Sequence, residues 1–277
     1  MIRHIKTICK QAHPLRYILA QVLWRSGLCR LFHIHYNGFK LRFYPSAFSI
    51  SLWIDPKGWY EDYEFFTTYL RSGDVVVDVG ANIGTLSLCA SRSVGVSGKV
   101  YSIEPHPRTF SYLKHNLEIN RIHNVTAYNC AAGNSSGIIH LSDKMADDEN
   151  TVIHDETGLI VPVHTLDELF SLEKHIHLLK LDVEGYEKFV LEGASEMLSR
   201  TELIYFEAWK QHFSRFDYCF ADVWQILNIH GFETFRFITA KHITTISKDY
   251  QPLHCENLIA MRDVDDFKRR TNFHIDR

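Results

Sequence analysis

Five carboxylates and two glycines stand where chemistry could be done. Asp78 leads into a turn bracketed by Gly80 and Gly84, and Glu104 ends the next apolar run. Asp182 and Glu184 follow Leu178 to Leu181, and Glu207 follows Thr201 to Phe206. Glycines at a strand-to-helix turn let a ligand approach the backbone, and the helix N-terminus adds N–H donors. A carboxylate at the tip of the second strand is placed to accept hydrogen bonds from a ribose diol. A nucleotide-type site is therefore expected. Its turn departs from the dinucleotide fingerprint G-x-G-x-x-G, since here the spacing is Gly80-x-x-x-Gly84 with Asp78 beside it. A negative side chain is a poor neighbour for a pyrophosphate. It suits a ligand that carries a sulfonium and an ammonium group.

The elements that must position these groups alternate along the chain. Val75 to Val79 is a short β-branched run, as expected of a strand buried on both faces of a parallel sheet, and Thr85 to Ala90 starts a helix. Val100 to Ile103 is a second strand. Thr109 to Ile119 places Phe110, Leu113 and Leu117 on one helical face. Val125 to Cys130 is a third strand, followed by the small residues Ala131 and Ala132. Asn134 to Glu156 is polar, with Asp143, Asp147, Asp148 and Glu149 clustered; it reads as a solvated loop or an acceptor loop. Val161 to Leu169 is a strand and a helix, with Thr165 as the cap and Glu168 three residues on. His175 to Leu181 and Thr201 to Phe206 are the fourth and fifth strands. Glu187 to Leu198 and Asp222 to His230 are helices, and Phe232 to Ile238 with Leu258 to Met261 is a closing pair. Upstream, residues 1–35 read as one or two helices broken near His13-Pro14 and Ser26-Gly27. Ile34 to Tyr44 and Phe48 to Ile54 read as short strands with a hairpin at Asn37-Gly38, and Trp59 to Leu70 as a helix. In an open α/β sheet, ligands sit at the carboxyl ends of the strands, which gathers the carboxylates on one edge.

DVGANIGTLS, SIEPHP and LLKLDVEGYEKFVLEGA together resemble the FkbM-type S-adenosylmethionine-dependent methyltransferases, over roughly residues 60 to 265. The resemblance implies an α/β fold of the class I methyltransferase, Rossmann-like kind. That is a mostly parallel seven-stranded sheet with helices on both faces and an antiparallel terminal hairpin. The expected division is an N-terminal helical and short-strand extension over 1–58, a methyltransferase domain over 59–265 and a tail over 266–277. S-adenosyl-L-methionine is the implied cofactor. Its implied contacts are Asp78, Gly80, Ala81, Asn82, Gly84 and Thr85 at the turn, then Glu104 and Pro105, with Ala131 and Ala132 leaving room for the adenine ring. Tyr60 and Glu61 match a Tyr-Glu pair that precedes the first strand in the family. They are candidates for the cleft wall, although a helix covering the sheet edge explains them equally well. The implied reaction is O-methylation, with a sugar hydroxyl in a glycan, glycolipid or related precursor as acceptor. A small-molecule natural product, nucleic acid, or a non-catalytic binding module are the competing readings.

Methyl transfer is mainly positioning work, but a hydroxyl acceptor also needs its proton removed. Asp182 is the first candidate for that base, Glu184 the second and His212 the third, with Glu207 hydrogen-bonding the acceptor. No metal is expected. The competing account has Asp182, Glu184 and Glu207 share a hard divalent cation.

Composition narrows the classes. An apolar fraction of 45% and a charged fraction of 23% are those of an ordinary globular chain. Six cysteines without a CxxC pair argue against a zinc site or a disulfide framework, so a reducing cytoplasm is expected. Residues 1–54 hold eight Lys or Arg and no Asp or Glu, which leaves 22 basic against 33 acidic groups beyond them, a balance of −11. The acidic catalytic region disfavours nucleic acid as a partner. The basic start is either a solvated helix capping the domain, the simpler reading, or a peripheral contact with the inner membrane face. Its dispersed charges do not form a signal peptide.

Overall fold

The computed structural model describes residues 13–144, 150–153 and 157–277. Helix α1 (Pro14–Arg25) starts at the expected break, where proline fits the first helical turn, and stops at Ser26 before Gly27. The second helix expected upstream of it falls outside the described residues. Strands β1 (His33–Tyr36) and β2 (Phe39–Arg42) form the expected hairpin, and Asn37 and Gly38 both take the positive φ of its two-residue turn. The strand expected over Phe48 to Ile54 is instead helix α2 (Ala47–Ile54), capped by Ser46, which accepts a hydrogen bond from Ser49 N. Five of its eight residues are buried, so no polar face marks the helical period. Helix α3 (Tyr60–Tyr69) follows.

Two strand–helix units come next: β3 (Val75–Val79), α4 (Thr85–Val94), β4 (Lys99–Ile103), α5 (Pro107–Ile119) and then β5 (Val125–Tyr128). The polar stretch is not simply a loop. With Ala131–Ala132 as β6, it supplies β7 (Gly137–Leu141) and β8 (Val152–Ile153), which join β9 (Leu159–His164) in a separate sheet of order β6-β9-β7-β8. Asp147, Asp148 and Glu149 lie outside the described residues. Helix α6 (Leu166–Leu169) is capped by Thr165 as expected. Strand β10 (Ile176–Leu181) precedes α7 (Glu187–Glu192) and α8 (Ser195–Leu198), two helices interrupted at Gly193 where one was expected. The rest is β11 (Thr201–Ala208), α9 (Lys210–Ser214), α10 (Phe220–Ile229), β12 (Glu233–Thr239), β13 (His242–Thr245), β14 (Glu256–Met261), α11 (Val264–Thr271) and β15 (His274–Asp276).

The main sheet has nine strands in the order β15-β13-β12-β14-β11-β10-β3-β4-β5. Strands β5, β4, β3, β10 and β11 run parallel, and β14 and β12 close the sheet antiparallel. Those seven are the expected sheet; β13 and β15 extend it. The chain end beyond 265 is thus the rest of α11 and an edge strand, with Phe267 and Phe273 buried. Strand alternation divides the core. Val77, Leu179 and Ile204 face α7, α8 and α10, while Val76, Leu178 and Leu203 face α3, α4 and α11. The N-terminal block shares a third core with the turn after β3: Phe43, Phe48 and Leu52 pack in one cluster with Ala81, Ile83 and Leu113.

Candidate active site

The turn after β3 is held by a close meeting of strands. Asp182 N donates to Val79 O at 3.1 Å, and a Cβ on Gly80 (φ +76°) would stand 1.8 Å from the Asp182 carbonyl oxygen. Glycine at position 80 is therefore required by the β3–β10 contact, rather than by a ligand alone. Gly84 (φ +91°) does not line the cleft; a Cβ there would meet Leu113 Cδ1 at 2.4 Å, so it serves the packing of α4 on α5. Every backbone N–H from Gly80 to Gly84 already has an acceptor. Gly80 and Ala81 donate to Ile103 O, Asn82 to Glu104 Oε2, Ile83 to Asn82 Oδ1 and Gly84 to Ala81 O. The turn thus has no such donor to offer a phosphate, which agrees with its departure from the dinucleotide spacing.

Asp78 also differs from expectation. It is fully buried, accepts from Ser87 Oγ at 2.6 Å and pairs with Lys180 Nζ at 3.1 Å, and it does not line the cleft. Its charge acts through Lys180. Ala81, Asn82, Thr85, Glu104, Pro105, Ala131 and Ala132 do line the cleft. Glu104 is buried at the tip of β4, with Oε1 accepting from His106 N and Oε2 from Asn82 N, both at 2.9 Å. The small sheet contributes another wall through Leu141, Thr151 and Val152.

The other half of the cleft is acidic. Asp62, Asp182, Glu184 and Glu207 line it, and among the described residues lining the whole cleft Lys180 is the one Lys or Arg. Lys180 Nζ donates to Gly80 O at 2.7 Å and reaches Asp182 Oδ2 at 3.5 Å. Burial opposes its charge, but Asp78 and Asp182 outweigh that and raise its pKa. Asp182 keeps 44% of its side chain accessible in the cleft. Desolvation by the cleft walls pushes its carboxyl up to about 6, against the pull of Lys180 and with help from Glu207 and Asp62. Glu184 sits at a positive φ of 55° and is pushed up to about 9, by burial first and then by Glu207 and Asp182. The smaller upward shift of Asp182 means that it gives up its proton more readily than Glu184 does.

Burial would raise Glu207 too, but hydrogen bonds from His212 and Cys255 hold it below the usual carboxylate range. His212 is buried and does not line the cleft. Its Nδ1 lies 3.1 Å from Glu207 Oε2 and its Nε2 3.4 Å from Glu184 Oε2, so it positions these carboxylates from behind. Among the described residues, the group here with metal-ligand character is Glu184, Glu207 and His212, without Asp182. Its two carboxylates approach opposite ring nitrogens.

Tyr60 is 49% exposed and Glu61 is exposed, and neither lines the cleft. Their neighbours Trp59 and Asp62 do, with Tyr36 and Phe48 of the N-terminal block. Asp62 accepts from Tyr205 Oη and from Asn257 Nδ2 (2.9 Å), and burial raises its pKa. Sequence reasoning missed these four, and also Lys180 and Tyr186. The Trp59/Asp62 spacing of three, one face of a helical turn, was the available signal. It also missed the role of Glu187, whose buried carboxyl Oε1 accepts from Val183 N (3.2 Å) and Gly185 N (3.4 Å) and so clamps the turn that carries Glu184.

A family model described as the methyltransferase FkbM domain matches residues 78–234. Methyltransferase 1 of Beauveria bassiana (strain ARSEF 2860) is 27% identical over 146 residues, 44% of this chain and 58% of that protein. Methyltransferase sdnD of Sordaria araneosa is 28% identical over 174 residues, 50% of this chain and 66% of that protein. The chain thus matches about two thirds or less of the length of these relatives. Among solved structures, a methyltransferase FkbM from Methylobacillus flagellatus KT aligns with a TM-score of 0.47 at 16% identity, covering 78% of this chain and 55% of that one. The family match spans more than half of the chain and coincides with the turn, the strand-end carboxylates and the clamp of Glu187: the chain belongs to the FkbM family of S-adenosylmethionine-dependent methyltransferases.

Proposed function

We propose that the chain methylates a hydroxyl group of an uncharged, polyhydroxylated acceptor, a sugar in a glycan, glycolipid or related precursor. The observation that carries this reading is the composition of the acceptor half of the cleft: carboxylates beside aromatic rings. Asp62, Asp182 and Glu207 accept hydrogen bonds from hydroxyls, while Trp59, Phe48 and Tyr36 offer flat apolar faces to the C–H side of a sugar ring. The same excess of negative charge repels phosphates, which disfavours nucleic acid. S-adenosylmethionine, when bound, supplies an electrophilic methyl group, and Glu104 at the tip of β4 is the residue to hold its ribose.

Asp182 takes the acceptor proton. Lys180 fixes its orientation by bridging it to Asp78 and Gly80 O. Protonated Glu184 donates to the acceptor or to His212, and Glu207 accepts. We assign the work to the cytoplasm, supported by free thiols at Cys29, Cys89, Cys130, Cys219 and Cys255. Among the described residues no helix is long and apolar enough to cross a membrane.

The test is incubation with methyl-labelled S-adenosylmethionine and cell extract, followed by separation into lipid, glycan, small-molecule and nucleic-acid fractions. Base-stable label on sugar hydroxyls supports the reading. Label confined to nucleic acid, or to carboxyl esters, would overturn it.

A further inference from the structure

We propose that the outer face of α1 is a docking surface for an anionic phospholipid bilayer. The helix is apolar on two sides. Ala20 and Leu23 are buried, and Tyr17 and Trp24 pack partly against the N-terminal core. Leu15, Ile18, Leu19 and Val22, spaced i, i+3, i+4 and i+7, share the opposite face and are exposed, Leu15 at 82% and Val22 at 58%. Leu28, Leu31 and Phe32 continue the exposed apolar surface just beyond the helix. Single exposed aliphatic residues need no partner, but a helical row with a continuation past its end does.

Charge names the partner. Arg16, Arg25 and Arg30 are exposed on α1 and the turn after it. They belong to the stretch of residues 1–54 that has eight Lys or Arg and no Asp or Glu, whereas the remainder of the chain is at −11. An anionic surface attracts the first part and repels the second, so it also orients the molecule. At twelve residues α1 is too short to span a bilayer and would lie in its plane. It packs on α2, whose Phe48 lines the cleft, so a single helix separates the docked surface from an element of the cleft wall. The proposal does not depend on the acceptor's identity, because it is read by vesicle binding without turnover.

The test is co-sedimentation of the full chain with phosphatidylcholine vesicles, with and without roughly a third of phosphatidylserine. Binding is expected with phosphatidylserine, and it should weaken as salt is raised. Leu19→Asp with Val22→Asp should lower it roughly tenfold or more while leaving S-adenosylmethionine affinity and the melting temperature unchanged. Arg16→Glu with Arg25→Glu should lower it as well. Equal binding to both vesicle types would overturn the anionic assignment. Absence of binding would overturn the proposal, and two controls then identify what covers the face. A wild-type dimer that the double Asp variant converts to monomer identifies a second copy. Binding that appears only after deletion of residues 1–12 identifies the chain's own start.

Discussion

The two ends of β3, β10 and β11 carry similar charged groups and put them to opposite uses. At the amino ends, Asp74 and Glu202 meet His175, His177 and the guanidinium of Arg270. Arg270 Nη1 lies 2.8 Å from Asp74 Oδ2 and Nη2 3.4 Å from Glu202 Oε2, and His175 Nε2 is 2.7 Å from Glu202 Oε1. One guanidinium reaches both carboxylates there, and the network fastens α11 to the sheet. At the carboxyl ends, Asp62, Asp182, Glu184 and Glu207 share Lys180 and His212. Burial first, and then the neighbouring carboxylates, push Asp62, Asp182 and Glu184 up. Burial in an open cleft and the surplus of acids over Lys and Arg, more than the presence of acids, separate the cleft end of the sheet from the fastened one.

The sharpest way to break that contrast is Asp182→Asn. It should cost roughly 10² to 10⁴-fold in turnover, the range of general base catalysis, and leave cofactor affinity in place. Because the base works as the carboxylate, wild-type activity should be present above pH about 6 and fall as pH drops through that value. Asn at this position should remove that limb. Near-wild-type turnover would send the search for the base to Glu184. Glu104→Ala comes next. Losing hydrogen bonds to a charged group should weaken S-adenosylmethionine binding by about 1.5–3 kcal/mol in calorimetry. An unchanged affinity in the folded variant would remove Glu104 from the site.

The fastened end should respond in the other currency. Arg270→Met should lower stability by about 1–3 kcal/mol in urea unfolding and leave turnover alone. A large change in turnover would erase the distinction between the ends. The smallest effect, and the most specific, concerns Glu187. Burial raises the pKa of Glu184 to about 9 and of Glu187 to about 8. Between pH about 4.5 and those values the folded chain holds protons that the unfolded chain has released, so stability should fall as pH rises across the window. Glu187→Gln keeps an oxygen for Val183 N and Gly185 N. It should flatten part of that slope, matching wild type at about pH 4 and exceeding it in stability as pH rises toward about 8. A wild-type protein equally stable across the window would mean that the acceptor end is not overloaded.

Local features were legible in the sequence. The valine run, the turn and Glu104 depend on residues within one strand–helix unit, and the structure puts them where spacing placed them. The acceptor wall was not legible in this way. Tyr60 and Glu61 sit one helical step from Trp59 and Asp62, and a step of about 100° decides which pair faces the cleft. Burial on most sides hid α2, because a helix with little exposed face shows no period. Strand β7 was masked by the polar residues flanking it. Asp78 and Gly84 have the right types at the right spacing, but their neighbours Lys180 and Leu113 come from distant parts of the chain and turn both to structural duty.

The saturated N–H groups of the turn after β3 have a consequence for what descent from this chain can reach. Side-chain substitution cannot free the N–H groups of Gly80, Ala81 and Gly84, which donate to the backbone carbonyls of Ile103 and Ala81. A lineage drifting toward phosphate-bearing cofactors would have to insert or delete residues in the turn and rebuild its path. Under the proposed function the acceptor, by contrast, meets side chains such as Trp59, Asp62 and Phe48, which reach the cleft from short N-terminal elements. Point mutation is enough to diversify those, so relatives of this protein should be conservative in their methyl donor and various in what they methylate.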